Sequence, residues 1–140
     1  MTEQNNSIVE LWPVSLLVER LEGHEAVNAE LLKMIDSYRK AHPANNDHSY
    51  VSPDNFSNDI DNPALEVIKK FIMDNIYQIA LKKNERFWRQ YKLQNIDIDL
   101  TGLWFQVSNN HSFHETHVHG NCSWSGVYYC LLYTSDAADD

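Results

Sequence analysis

Between Lys83 and Ile96 the hydrophobic pattern of this chain changes period, and that change limits the folds open to it. Upstream, Leu65, Ile68, Ile72, Ile76 and Ile79 recur at helical spacing to about Lys83. Asn62 and Pro63 mark the start: asparagine caps a helix through its side-chain oxygen, and proline suits the first position, where no N–H is needed. Downstream, Ile96, Ile98 and Leu100 alternate with Asp97, Asp99 and Thr101, the spacing of a half-buried strand. With a further strand read ahead of the helices, the order of one strand, two helices and then short strands points to an α+β fold that is mainly β.

The remaining segments fill in that order. Ser7 to Leu21 reads as a strand with an edge or bulge at Pro13. Glu25 to Ala41 reads as an amphipathic helix through Val27, Leu31, Ile35 and Tyr38, stopped by Pro43. His42 to Asp61 is rich in Asn, Asp, Ser and Pro and reads as a long exposed loop. Gly102 to Ser108, Phe113 to His119 and Ser123 to Tyr129 read as short strands separated by turns at Asn109–Ser112 and Gly120–Asn121. The 140 residues suit one domain.

Charge narrows the function classes. Twenty acidic residues oppose 11 basic ones, a net charge of -9, and no Lys/Arg run exceeds the pairs Lys69-Lys70 and Lys82-Lys83. Nucleic acid and anionic membranes both call for a basic patch, so neither is expected as a partner. The N-terminus has no basic and apolar leader pattern, and no window nears the roughly 20 apolar residues that span a bilayer. Two cysteines, Cys122 and Cys130, make no disulfide framework. A reducing cytoplasm is the expected location. The tail "CLLYTSDAADD", residues 130–140, resembles the in-frame translation of a sequencing adapter. On that reading it is non-native, and residues 1–129 are the N-terminal part of one longer domain.

The chemistry concentrates in residues 111–119, which hold four of the seven histidines: His111, His114, His117 and His119. On a strand, His117 and His119 share a face about 7 Å apart, and Gly120 offers a kink that lets them converge. Neutral imidazole is a common ligand for Fe, Zn, Cu and Ni. H-x-H alone also fits a solvated polar face. His24, His42 and His48 read as surface residues. No Gly-rich phosphate loop, nucleophile elbow or zinc-finger spacing accompanies the pair.

The wider context, "LTGLWFQVSNNHSFHET" followed by "HVHGNCSWSGVYY", resembles the iron site of the 2-oxoglutarate/Fe(II)-dependent oxygenases. More specifically, it is similar to a bacterial and phage branch with H-x-H followed by WSGVYY. Trp104, His117, His119, Trp124, Ser125, Gly126, Val127, Tyr128 and Tyr129 fall in place, and the early "LWPVSLLV" is similar to that branch's first strand. The resemblance implies a partial double-stranded β-helix, a jelly roll, with the two helices packed on its sheet. It also implies Fe(II), 2-oxoglutarate as cosubstrate and O₂, joined in hydroxylation of an unknown substrate. His117 then stands as the first metal ligand, and His119 stands where most relatives keep a carboxylate; Glu115 is a lesser candidate for that carboxylate. Tyr129 is placed to help hold 2-oxoglutarate. The third ligand and the cosubstrate-binding Arg or Lys are expected beyond Tyr129, so the chain as it stands is expected to be inactive. The alternative is a non-catalytic jelly-roll binding module, its histidines serving either as polar surface or as a structural metal site.

Overall fold

A contact between two helices and an antiparallel pairing of two short strands meet at an aromatic cluster. The computed structural model describes residues 14–43, 49–92, 97–108, 117–120 and 122–130. Helix α1 spans His24–Ala41 and begins after Gly23, whose φ of 67° lies in the left-handed region that glycine enters at little cost. Leu31 and Ile35 are its buried residues, one turn apart. At the other end the His42 N–H donates to the Tyr38 carbonyl at 2.9 Å.

Helix α2 spans Pro63–Tyr91, and its start is the expected one. The Asn62 side-chain oxygen accepts from the Leu65 N–H at 3.0 Å, and Pro63 occupies the first helical position. Its end lies well past Lys83. The last turns, "KKNERFWRQY", include six good helix formers (Lys82, Lys83, Glu85, Arg86, Arg89 and Gln90) and an Arg89–Glu85 ion pair one turn apart. Packing does not hold them: Phe87 and Tyr91 are more than half exposed. An apolar pattern therefore stops before this helix does.

Strand β1, Ser49–Val51, pairs antiparallel with β2, Gln106–Ser108, setting Tyr50 opposite Val107. The pairing continues irregularly, with Ser52 N–H to the Phe105 carbonyl at 3.0 Å and Leu103 N–H to the Asp54 carbonyl at 2.8 Å. A 3₁₀ turn at Phe56–Asp59 leads into α2. Leu31, Phe56, Ala64, Leu65 and Ile68 form the buried core, with Leu103, Phe105 and Tyr128 packed against it. Phe105 is the hub of the aromatic cluster: Phe56 meets it edge-on at 5.1 Å, Tyr38 edge-on at 5.6 Å, and Tyr50 stacks on it at 5.5 Å.

This architecture corrects the jelly-roll expectation. The described residues hold two helices and one two-stranded sheet, not a partial double-stranded β-helix with helices packed on its sheet. Residues 14–21, 97–105, 117–119 and 124–129 carry no strand. Alternation marks which residues share a face, but a strand also needs a neighbour to take its N–H and C=O groups. The proposed loop at His42–Asp61 is corrected too. It contains β1 and buries Tyr50, Ser52, Phe56 and Ser57, because two aromatic residues suffice to draw a polar run inward. The expected strand region at Ser7–Pro13 and that at Phe113–Thr116 lie outside the described residues.

The core makes a ranked prediction. Phe56→Ala should cost about 3–5 kcal/mol by opening a cavity beside Phe105, while Asn62→Ala should cost about 1 kcal/mol through the lost cap. Urea unfolding midpoints of the two variants check the order, and an equal or reversed order would contradict this packing.

Candidate metal-binding site

The site begins with the backbone of residues 103–105. Leu103 is fixed by its N–H to Asp54, and Phe105 by donating to the Ser52 hydroxyl at 3.0 Å while its carbonyl accepts from the Ser52 N–H. Both flanking side chains pack on the core. Chain alternation sends Trp104 between them the other way, leaving it 38% exposed. The His119 imidazole stacks on that indole, with centroids 5.8 Å apart and planes 24° from parallel.

His117 meets His119 at nearly a right angle, with ring centroids 4.7 Å apart and planes at 70°. Their Nε2 atoms are 3.1 Å apart. With no cation present, one ring donates and the other accepts a hydrogen bond. Two imidazole nitrogens bound to one cation at about 2.1 Å stand about 3.0 Å apart at a right angle and about 3.4 Å at the tetrahedral angle. The pair therefore fits two adjacent positions around one metal ion. Binding a cation through both Nε2 atoms requires the donor ring to give up its Nε2 proton.

The histidines arrive there without the strand expected of them. Residues 117–119 are irregular and exposed, and Gly120 follows in a turn. Among the described residues no group of three or more His, Cys, Asp or Glu side chains gathers as a metal site, so the pair is two-coordinate within them. Glu115, His111 and His114 lie outside the described residues. Cys122 turns away, its thiol 3.9 Å from the His119 carbonyl. His24 is half-buried rather than a free surface residue, with Arg20 at one ring nitrogen and Glu25 at the other. His42 is exposed and stacks on Tyr38; His48 lies outside the described residues.

The tyrosine pair is split by the same alternation. Tyr129 is 64% exposed, whereas Tyr128 packs against the core and meets Phe71 edge-on at 6.4 Å. Asn28 on α1 holds this segment with both ends of its amide. Its oxygen accepts from the Tyr128 hydroxyl at 2.7 Å, and its nitrogen donates to the Cys130 carbonyl at 2.8 Å. Sequence reading missed Asn28. The available signal was a polar residue on the edge of the α1 stripe, beside Ile35 in helical projection.

A larger open cleft of about 1060 Å³ runs between Val14–Leu17 and the last turns of α2, from Gln78 to Lys92. Neither histidine lines it. It offers apolar surface and dispersed cations but no converging donors, so size does not make it the chemical site. No helix among the described residues is long and apolar enough to cross a membrane. Compared with models of known protein families, with curated proteins and with solved structures, the chain finds no match.

Burial raises the Tyr128 phenol above its ordinary 10.0, reinforced by the Cys130 thiol beside it. Tyr50 is raised as well, first by burial and then by Tyr38. A folded-state pKa above the unfolded one means the neutral phenol is favoured on folding. That stability is fully present below pH 10 and is lost as pH rises through the folded values. Thermal midpoints should therefore fall above pH 10. Tyr128→Phe should cost about 0.5–1.5 kcal/mol at neutral pH and flatten part of the alkaline fall; an unchanged alkaline slope would contradict it.

Proposed function

We propose that this chain is the N-terminal part of an Fe(II)- and 2-oxoglutarate-dependent oxygenase, with His117 and His119 as two of its metal ligands. The observation that carries the reading is the 3.1 Å Nε2–Nε2 separation of the H-x-H pair, inside a motif that resembles those enzymes from Trp104 to Tyr129. The reading rests on the donors and the motif, not on the fold.

Each imidazole contributes one lone pair and no charge. A carboxylate in place of His119 would cancel one unit of the cation's charge; His119 leaves both units to be balanced by the remaining ligands. That favours anionic donors in the other positions, and 2-oxoglutarate would offer one in the carboxylate beside its neutral keto oxygen. Bound at this pair, Fe(II) would supply the redox chemistry that decarboxylates 2-oxoglutarate to succinate while O₂ hydroxylates a C–H bond. On the same reading Tyr129, which is exposed, helps hold the cosubstrate, while Tyr128 anchors the segment through Asn28. In this reading the third protein ligand and the Arg or Lys that pairs with 2-oxoglutarate follow Tyr129 in the complete gene.

Anaerobic Fe(II) titration of the chain, followed by dialysis and iron assay, should show one weakly held ion. His117→Ala/His119→Ala should lower the affinity by more than about tenfold, since losing even an outer-shell partner of a ligand costs roughly 10–100-fold. The gene product extended past Tyr129 should release succinate from 2-oxoglutarate with matching O₂ uptake. Iron bound by that longer protein without any 2-oxoglutarate turnover would overturn the enzyme reading and leave a metal-binding module.

A further inference from the structure

We infer that Trp104 is a positioning residue for the metal pair: its indole face holds the His119 ring so that Nε2 stays turned toward His117. The inference rests on the reading of His117 and His119 as ligands. His119 needs such a support. It stands on irregular chain between Val118, 91% exposed, and Gly120, where no other described residue lies within 4 Å of the point at which a side chain would begin. An exposed imidazole has several staggered rotamers open to it, and a ring contact selects among them. Trp104 has the opposite character. The backbone on either side of it is pinned to Asp54 and Ser52, and its neighbours Leu103 and Phe105 are packed on the core. The 5.8 Å, 24° stack therefore transfers rigidity from the aromatic cluster to an exposed ligand.

Stacking also acts on the ring's electronics. An imidazole that shares its lone pair with a cation becomes electron-poor, and the electron-rich face of an indole then attracts it more strongly. Trp104 thus favours the loaded state as well as ordering the empty one.

Ni(II) is a suitable probe, since it takes imidazole donors and quenches nearby indole emission. In the wild-type chain, Ni(II) should quench the share of tryptophan emission that disappears in Trp104→Phe. Trp104→Phe keeps an aromatic face and should bind Ni(II) within about twofold of wild type, whereas Trp104→Ala should bind about three- to tenfold more weakly. Without metal, the His119 ring protons should lie upfield of their positions in Trp104→Ala, the mark of an indole face above them. Far-UV circular dichroism establishes that both variants fold. Unchanged Ni(II) affinity in Trp104→Ala, with binding still lost in His119→Ala, overturns the role of Trp104 alone. Ni(II) binding that survives both His117→Ala and His119→Ala overturns the ligand reading and this inference with it. The ring-current shift distinguishes the two failures, because it reads the stack with no metal present.

Discussion

Everything described in this chain depends on how Ser52 and Phe105 hold each other across 53 positions of sequence. The Ser52 N–H donates to the Phe105 carbonyl, and the Ser52 hydroxyl accepts from the Phe105 N–H. This pair of bonds extends a ladder that is otherwise three residues long. It also sets Phe105 among Phe56, Tyr38 and Tyr50, so a polar interaction and an aromatic one fix the same residue. A two-stranded sheet is marginal by itself; resting on α1 and α2 through these rings, it gains the buried area that hydrogen bonds alone do not supply. Among the described residues Ser52 and Ser57 are the buried polar side chains, and the Ser52 hydroxyl both donates, to the Pro53 carbonyl, and accepts, from the Phe105 N–H.

From that anchor the site follows by geometry. Leu103 and Phe105 face the core, so Trp104 faces out, and its ring meets His119. The exposed histidines are thus linked to the interior through one residue of alternation. Asn28 plays the equivalent part for the tyrosine pair, binding Tyr128 from α1 and leaving Tyr129 outward. In both places a residue that packs stands next to one that is presented.

The helices were legible in the sequence because their signals are local. Asn62-Pro63 starts α2, and the stripe through Leu31 and Ile35 defines α1. The end of α2 was not, since its last turns depend on helix propensity and Glu85–Arg89 rather than on apolar spacing. Strands were overread for a different reason. Ile98 and Leu100 alternate as a strand would, but no neighbouring backbone meets them among the described residues. The converse error fell on Ser49–Val51, a strand whose partner is far away in sequence and so invisible in its own composition. For the site, the type and spacing of His117 and His119 were legible. Their convergence was not, because it comes from irregular chain beside Trp104 and not from the pleat of a strand.

The central claim is that His117 and His119 bind one cation together. X-ray absorption at the Ni or Fe edge of the metal-loaded chain tests it most directly. Two imidazole nitrogens at about 2.1 Å, with the outer-shell scattering typical of rigid imidazole rings, are the predicted result in the wild type, falling to one in His117→Ala. A first shell of water or carboxylate oxygens, with no imidazole signal that depends on either histidine, would contradict it.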